Sequence, residues 1–321
     1  MKAIVQAQYG PPEVLQLKNV EKPTALANQV LIKVRATSLN KGNIVLLRGK
    51  PFLARLAFGL TKPKFAVQGG DMAGVVEAVG KDVQHFKAGD EVYGDMSAFG
   101  WGAFAEYVTV PETGIVLKPR NLSFEEAAAV PMAGLTGLQG LKKGNIKRGD
   151  KVLISGASGG VGTFAVQIAK AYGAFVTAIC STRNVELAHS LGADEVIDYT
   201  QEDITDHEEQ YDLIIAVNGY YPLSVYKRAL RPNGRYVMVG GSDKQLNEAM
   251  FFAPWLSMTG NKKMTTLLQR ANQTDLEELK KWIEEGKVKP VIDASYPLHD
   301  IQQAFRYLEE GHAKGKVVIS V

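Results

Sequence analysis

Short apolar runs, broken by Gly, Pro, Asn and Asp, fill the first third of the chain. Residues 30–34 (VLIKV), 74–79 (GVVEAV) and 107–110 (YVTV) have the β-branched content of strands, and Gly89-Asp90-Glu91-Val92 reads as a turn feeding another. No sustained 3.6-residue period begins before about Ser123, so this region is expected to be irregular and β-rich. At Ser123 the pattern changes. Ser123-Phe-Glu-Glu126 fits a capping box that opens a helix. From Lys151 strand and helix patterns alternate: residues 151–155 form a buried strand, and Val161, Phe164, Ala165, Ile168 and Ala169 then line one helical face. Further strands are expected at 175–179, 195–197, 212–217 and 235–239. Such a βα series implies an α/β fold with a doubly wound parallel sheet. Near the end, Thr274-Asp-Leu-Glu277 resembles a second capping box, for a helix stopping near Gly286. Ile301, Ala304, Phe305 and Leu308 form another apolar face closed by Gly311, and residues 316–321 read as a strand.

Composition narrows the function. The 321 residues suit about two domains at the usual ~150 residues each. With a net charge of +3 and no dense basic run, nucleic acid and membrane surfaces are not expected partners. The longest apolar stretch, residues 250–258, is interrupted by Pro254 and is too short for a bilayer. One cysteine, Cys180, excludes an internal disulfide and a multi-cysteine metal site within the chain. Residues 1–5 carry no secretory or transit signal, so a cytoplasmic location is expected.

The most informative segment follows the strand at 151–155. Ala157-Ser158-Gly159-Gly160-Val161-Gly162 has the A-x-G-x-x-G form of a dinucleotide-binding turn, in the strand–turn–helix context that the chemistry requires. Gly159 would let the backbone approach a pyrophosphate and Gly162 would let the helix pack on the strand. The N–H groups from Ser158 to Val161 would meet the phosphates at the positive end of the helix dipole. The next strand ends in Ser181-Thr182-Arg183-Asn184, without the carboxylate that binds ribose hydroxyls in NAD sites. Arg183 can pair with a 2′-phosphate, and Ser181 and Thr182 can donate to it, so NADPH is the expected cofactor. The competing reading of Arg183 is a solvated surface residue.

These features, together with Gly70-Asp71-Met72-Ala73-Gly74-Val75-Val76, Gly102-Ala103-Phe104-Ala105-Glu106-Tyr107-Val108, Gly192-Ala-Asp-Glu-Val-Ile-Asp-Tyr199 and the ending Gly311-His-Ala-Lys-Gly-Lys-Val-Val-Ile319, make the chain resemble the medium-chain dehydrogenases/reductases. Within them it is similar to the zinc-free quinone oxidoreductase branch, and its ending to the reticulon-interacting subgroup. The resemblance implies a Rossmann domain over 122–260 and a β-rich GroES-like catalytic domain from 1–121 and 261–321. It further implies that substrate and nicotinamide meet in the cleft between the domains, and that the protein is a homodimer. Zinc-dependent relatives carry a cysteine ligand at the position matched by Asn40 and a Gly-His-Glu run matched by Gly69-Gly70-Asp71. The five histidines (85, 189, 207, 299 and 312) show no ligand spacing, so no metal is expected.

By the same resemblance, Asn40 is expected to donate to a substrate oxygen, and Asn43, expected beside the substrate as a second catalytic residue, stands where relatives usually have an aspartate. Thr136 matches a residue near the nicotinamide, and Tyr199 an aromatic beside the 2′-phosphate or adenine. Gly240 and Gly241 would let the nicotinamide approach the backbone. Plainer readings stand beside these: a turn residue for Asn40, packing for Tyr199, strand-end glycines for the pair. Lys41 is an unproven proton donor. Residues 51–65 are expected to form a wall of the substrate pocket or an amphipathic surface helix, and 251–255 to line that pocket or an oligomer contact. Without a Lewis acid, hydride delivery to a quinone or another conjugated carbonyl is easier than alcohol oxidation, because conjugation stabilises the developing charge. The alternatives are reduction of an enoyl thioester or alkenal double bond, and a weakly catalytic NADPH-binding structural or regulatory protein. A short-chain dehydrogenase is excluded, since no Tyr-x-x-x-Lys occurs.

Overall fold

A computed structural model describes every residue except 203, 207–209 and 259, and every other side chain but those of 206, 243 and 254. His207, one of the histidines considered above, and the Pro254 side chain therefore lie outside the described set. Along the chain the strands are β1 (Lys2–Gln6), β2 (Leu15–Asn19), β3 (Gln29–Leu39), β4 (Asp71–Val79), β5 (Glu91–Asp95), β6 (Tyr107–Pro111), β7 (Ile115–Leu117), β8 (Lys151–Ser155), β9 (Phe175–Cys180), β10 (Glu195–Asp198), β11 (Tyr211–Ala216), β12 (Leu230–Met238), β13 (Lys263–Thr266), β14 (Ile292–Pro297) and β15 (Lys316–Ser320). Contacts divide the chain into two compact units. One is Met1–Met132 with Arg270–Glu284 and Pro290–Val321, the other Ala133–Gln269 with Glu285–Lys289.

The divisions at 132 and 269 fall beyond the expected ones at 121 and 260. The helix Phe124–Ala128, capped by Ser123 and Glu126 as its sequence predicts, packs on β3 and β4 and so stays with the first unit. Residues 285–289 join the second unit because the Gln167 side chain donates to the Lys289 carbonyl at 2.9 Å and accepts from its N–H at 2.8 Å.

In the first unit a sheet runs β14-β15-β3-β4-β5-β7, with β6 also on β3. The long β3 pairs with β6 along its first half and with β15 along its second. Register sets Ser38 opposite both Asp71 of β4 and Val318 of β15. The end of β3 and the starts of β4 and β15 therefore meet at one place. Phe104 and Phe305, fully buried, meet edge to face at 6.1 Å beside Leu39 and Val317, an arrangement that stabilises beyond the area they bury.

The second unit carries a sheet in the order β10-β9-β8-β11-β12-β13, every pair parallel. Numbered within the unit this is 3-2-1-4-5-6, whose order reverses between β8 and β11, where dinucleotides bind in such sheets. The helix Gly160–Ala171 follows β8, and its residues 162–169 are buried on every side rather than on the one expected face, with Val161 half-buried.

Some elements depart from the sequence pattern. An eight-residue helix, Lys41–Arg48, precedes Ser123; it is too short to establish a period, and Gly49 ends it at φ +59°. The helix Gln273–Glu284 is capped by Asn272, whose side-chain Oδ1 accepts from the Asp275 N–H at 2.8 Å, two residues before the expected Thr274 and Glu277 box. β12 starts at Leu230 because its pairing with β11 absorbs Pro232-Asn233-Gly234 as an irregularity. β13, only four residues long, has no distinct run in the sequence.

Candidate functional site

The dinucleotide turn is built by backbone. Gly156 has φ +78°, and a side chain there would strike Asn218. At Gly162 a Cβ would lie 2.1 Å from the Gly156 carbonyl oxygen, so only glycine lets the helix seat against the turn. At Gly159, the N-cap, the nearest atom to such a Cβ is 3.7 Å away. Packing therefore requires Gly162 but not Gly159, and the open space at Gly159 is where a pyrophosphate needs access. No side chain caps this helix, so its first N–H groups, at Gly160 and Val161, suit an anion. These residues and Ser158 are half-buried. A dinucleotide fits this site on both the backbone geometry and the donor set.

At the end of β9, Ser181 is half-buried and Arg183 exposed on the turn Thr182–Asn184. Thr182 departs from its expected role. Its hydroxyl donates to Asp198 Oδ2 at 2.5 Å, so that hydrogen is not available to a phosphate. Asp198 ends β10 opposite Cys180. Hydrogen bonds from the Thr182 and Thr200 hydroxyls hold its carboxyl below the usual carboxylate range. The acid absent from the end of β9 thus arrives on the neighbouring strand, within the Val-Ile-Asp-Tyr motif that is part of the family resemblance. Tyr199, next to it, is 56% exposed, which excludes a core-packing role. Burial pushes the Cys180 thiol up to about 11, so it is no nucleophile.

Thr136 is buried in the helix Pro131–Lys143. Gly240 is required by its own backbone packing, since a Cβ would lie 2.5 Å from the Val217 carbonyl oxygen, and Gly241 by its φ of +139°. These constraints support the plainer reading of the two glycines. Phe251, Phe252 and Trp255 are exposed on the helix Asp243–Met258.

The first unit holds a different kind of site, a buried ionic cluster around Asp71 where the three strand ends meet. Asp71 Oδ1 accepts from the Met132 N–H at 2.7 Å. Its Oδ2 accepts from Ser38 Oγ at 2.5 Å, Asn40 Nδ2 at 2.7 Å and Lys316 Nζ at 3.1 Å. Lys316 Nζ also donates to the Leu39 carbonyl at 3.0 Å and to Asn40 Oδ1. An ammonium has three hydrogens and here three acceptors, which matches the charged form. Burial nevertheless pulls the Lys316 pKa below the usual lysine range, with the Asp71 carboxylate opposing it. Every partner of the ammonium is an acceptor and every partner of the carboxylate a donor, so the pair is ionic.

Asn40 is therefore clamped at both ends of its amide, yet the residue is only half-buried. Its Nδ2 has two hydrogens and gives one to Asp71, leaving the second for a substrate oxygen. Asn43 differs from its expected place beside the substrate: it is fully buried. Its Oδ1 accepts the Asn40 N–H at 2.9 Å at the start of the helix Lys41–Arg48. It positions Asn40, a role that needs only an acceptor oxygen, and the charge of the site comes from Asp71. In the sequence, Asp71 and Lys316 stand out only as letters within motifs. The signal is an ionisable residue opening each of two strands otherwise apolar in character, but the pair is 245 residues apart.

Trp101, largely buried, carries no sequence signal of its role. A Cβ at Gly70 would lie 3.0 Å from its ring and 2.9 Å from Met132 Cε, so these side chains fill the space where zinc-dependent relatives place histidine. Among the described residues no group of three or more His, Cys, Asp or Glu is arranged to hold a metal. Phe52, Leu53 and Leu56 are exposed on a turn and the one-turn helix Arg55–Phe58, and Leu60 is exposed just beyond it. Arg55 anchors this segment, 4.5 Å above the Tyr9 ring and bonded to the Gly49 carbonyl at 3.0 Å.

Residues 26–120 match the family described as "Alcohol dehydrogenase GroES-like domain", and residues 191–319 that described as "Zinc-binding dehydrogenase". The chloroplast envelope quinone oxidoreductase homolog of Arabidopsis thaliana is 36% identical, over 99% of this chain and 98% of that protein. The chain belongs to the quinone oxidoreductase branch of the medium-chain dehydrogenases/reductases. The NADPH-dependent alkenal/one oxidoreductase of the same plant is 37% identical, over 99% of this chain and 79% of its own length. Among solved structures, the quinone oxidoreductase from Coxiella burnetii is 34% identical with a TM-score of 0.88, over 100% of this chain and 99% of that one. The α/β fold with a parallel sheet and a GroES-like domain is thus that of the family.

Proposed function

We propose that this protein is an NADPH-dependent, zinc-independent oxidoreductase that reduces quinones or enones. The carrying observation is the clamped Asn40 amide, an N–H donor on a half-buried residue, fixed from behind by a buried ion pair at the position where zinc-dependent relatives have a cysteine. The relatives named for quinones and for an alkenal/one substrate support the acceptor class. The turn from Ser158 to Val161 would hold the pyrophosphate, and Ser181, Arg183 and Tyr199 the adenosine end with its 2′-phosphate. NADPH, when bound, supplies a hydride to an electron-poor carbon. The part left to Asn40 is small, since its free N–H need only meet the acceptor oxygen as negative charge develops there. A donor held in place beforehand needs no reorganisation during the reaction. Asp71 and Lys316 set its direction, and the Lys316 charge polarises the amide through Oδ1. We further propose a homodimer, supported by the open edge of the six-stranded sheet at β13.

Consumption of NADPH with a panel of quinones, enones and aldehydes, with and without a chelator, tests the reading. Chelator-resistant turnover on quinones or enones is expected, and Asn40→Ala should lower kcat by about 100-fold, the usual effect of losing one such donor. Chelator-sensitive alcohol oxidation would overturn zinc independence. NADPH binding without turnover on any acceptor would favour a regulatory protein.

A further inference from the structure

Asn184 joins the two halves of the dinucleotide site. It sits in the turn after β9, only 5% exposed, and its Nδ2 donates to Ser158 Oγ at 2.9 Å and to Ser181 Oγ at 3.2 Å. Ser158 belongs to the pyrophosphate turn, and Ser181 ends the strand beside which the adenosine ribose lies in this fold. One side-chain amide thus reaches across 26 positions of sequence to Ser158 and joins residues that serve different phosphates. The direction of the bonds matters. Because each serine oxygen accepts from the amide, its own hydrogen remains free to donate to an anion. The backbone turn from Ser181 O to Asn184 N–H, at 2.8 Å, fixes the amide's reach.

Asn184 Oδ1 is buried and has no hydrogen-bond partner. An unsatisfied buried acceptor is destabilising and calls for a compensating reason. Packing gives no such reason, because leucine would fill the volume without the orphaned atom. Holding two hydroxyls as donors does.

We propose that Asn184 is a positioning residue for the phosphates of NADPH, orienting the Ser158 and Ser181 hydroxyls toward the pyrophosphate and the 2′-phosphate respectively. This rests on the NADPH reading above. The clamp couples the two phosphate sites, and it contributes to the preference for NADPH over NADH through Ser181.

The test is binding of NADPH, NADH and 2′,5′-ADP to the whole protein by calorimetry, for wild type, Asn184→Ala, Asn184→Asp, Ser158→Ala, Ser181→Ala and the Ser-to-Ala changes combined with Asn184→Ala. Asn184→Ala is expected to raise the Kd for NADPH about tenfold and that for NADH about threefold. The serine changes should cost much less in its background than in wild type. Asn184→Asp keeps the side-chain shape but draws both hydroxyl hydrogens to its carboxylate, and should weaken NADPH and 2′,5′-ADP more than NADH. This near-isosteric variant also serves if the alanine variant does not fold. A lowered Tm with cofactor affinities and the NADPH-to-NADH ratio unchanged within twofold, or strictly additive serine effects, overturns the proposal. Wild type that fails to bind NADPH overturns the NADPH reading itself. Wild type that binds it while the Asn184 variants bind equally well removes only the role of Asn184.

Discussion

The turn after β8 and the cluster around Asp71 solve the problem of presenting donors in opposite ways. The turn uses main-chain N–H groups from consecutive residues, made accessible by glycines, and no side chain caps it. The cluster uses side chains from residues 38, 40, 71 and 316, gathered by strand register and held by a buried ion pair. In the turn, what folds the chain and what meets the ligand fall on separate glycines. In the cluster they are the same atoms, so its function and its stability should fail together.

The strongest way to break that contrast is to remove one charge of the cluster. Lys316→Met leaves the Asp71 carboxylate buried against donors too few to replace the ammonium. It should cost about 3–5 kcal/mol of stability, read from denaturant unfolding. Combining it with Asp71→Leu should recover most of that loss while kcat stays as low as that of Asn40→Ala. A Lys316→Met protein as stable as wild type would show that the ion pair does not hold the strand ends.

The turn offers a sharper comparison. Gly162→Ala must push a methyl against the Gly156 carbonyl and should cost about 1–3 kcal/mol. Gly159→Ala, three residues away, should leave the free energy of unfolding within about 0.5 kcal/mol of wild type, yet weaken NADPH binding at least tenfold. Equal stability losses at the two glycines would remove the distinction between packing and access.

A smaller effect separates surface charge from the buried pair. Burial opposes ionisation of Asp194, but the Lys170 ammonium at 2.7 Å and the Val176 N–H outweigh it and hold the carboxyl below its usual range. A depressed folded pKa stabilises the protein above the unfolded value and loses that contribution as pH falls below 3.8 through the folded pKa. Asp194→Asn should therefore cost about 0–1 kcal/mol at neutral pH and flatten the acid limb of the stability profile. A neutral-pH loss as large as that of Lys316→Met would place this surface pair on a par with the buried one.

Legibility in the sequence follows the same division. The strand at 151–155 is legible in its apolar run, and the helix face from Val161 to Ala169 in its period, because each is a local pattern. Gly159 and Gly162 take different roles from spacing alone, and the structure gives each its own reason. Asn40 stands out by its position within the family pattern. Its partners do not, since nothing local ties Asp71 to Lys316. Thr182 misleads for a related reason: the acceptor that takes its hydrogen, Asp198, lies on the next strand.

By itself the sequence determined the strand and helix order from β8 to β12 and the phosphate-binding turn, properties of residue type at short separation, and, through the family pattern, the lack of zinc ligands at two matched positions. Tertiary structure alone decided which buried charges neutralise one another, which amide hydrogen stays free and where Asn184 reaches. Those depend on strand register and chain crossings that bring residues as far apart as Asp71 and Lys316 within hydrogen-bond distance.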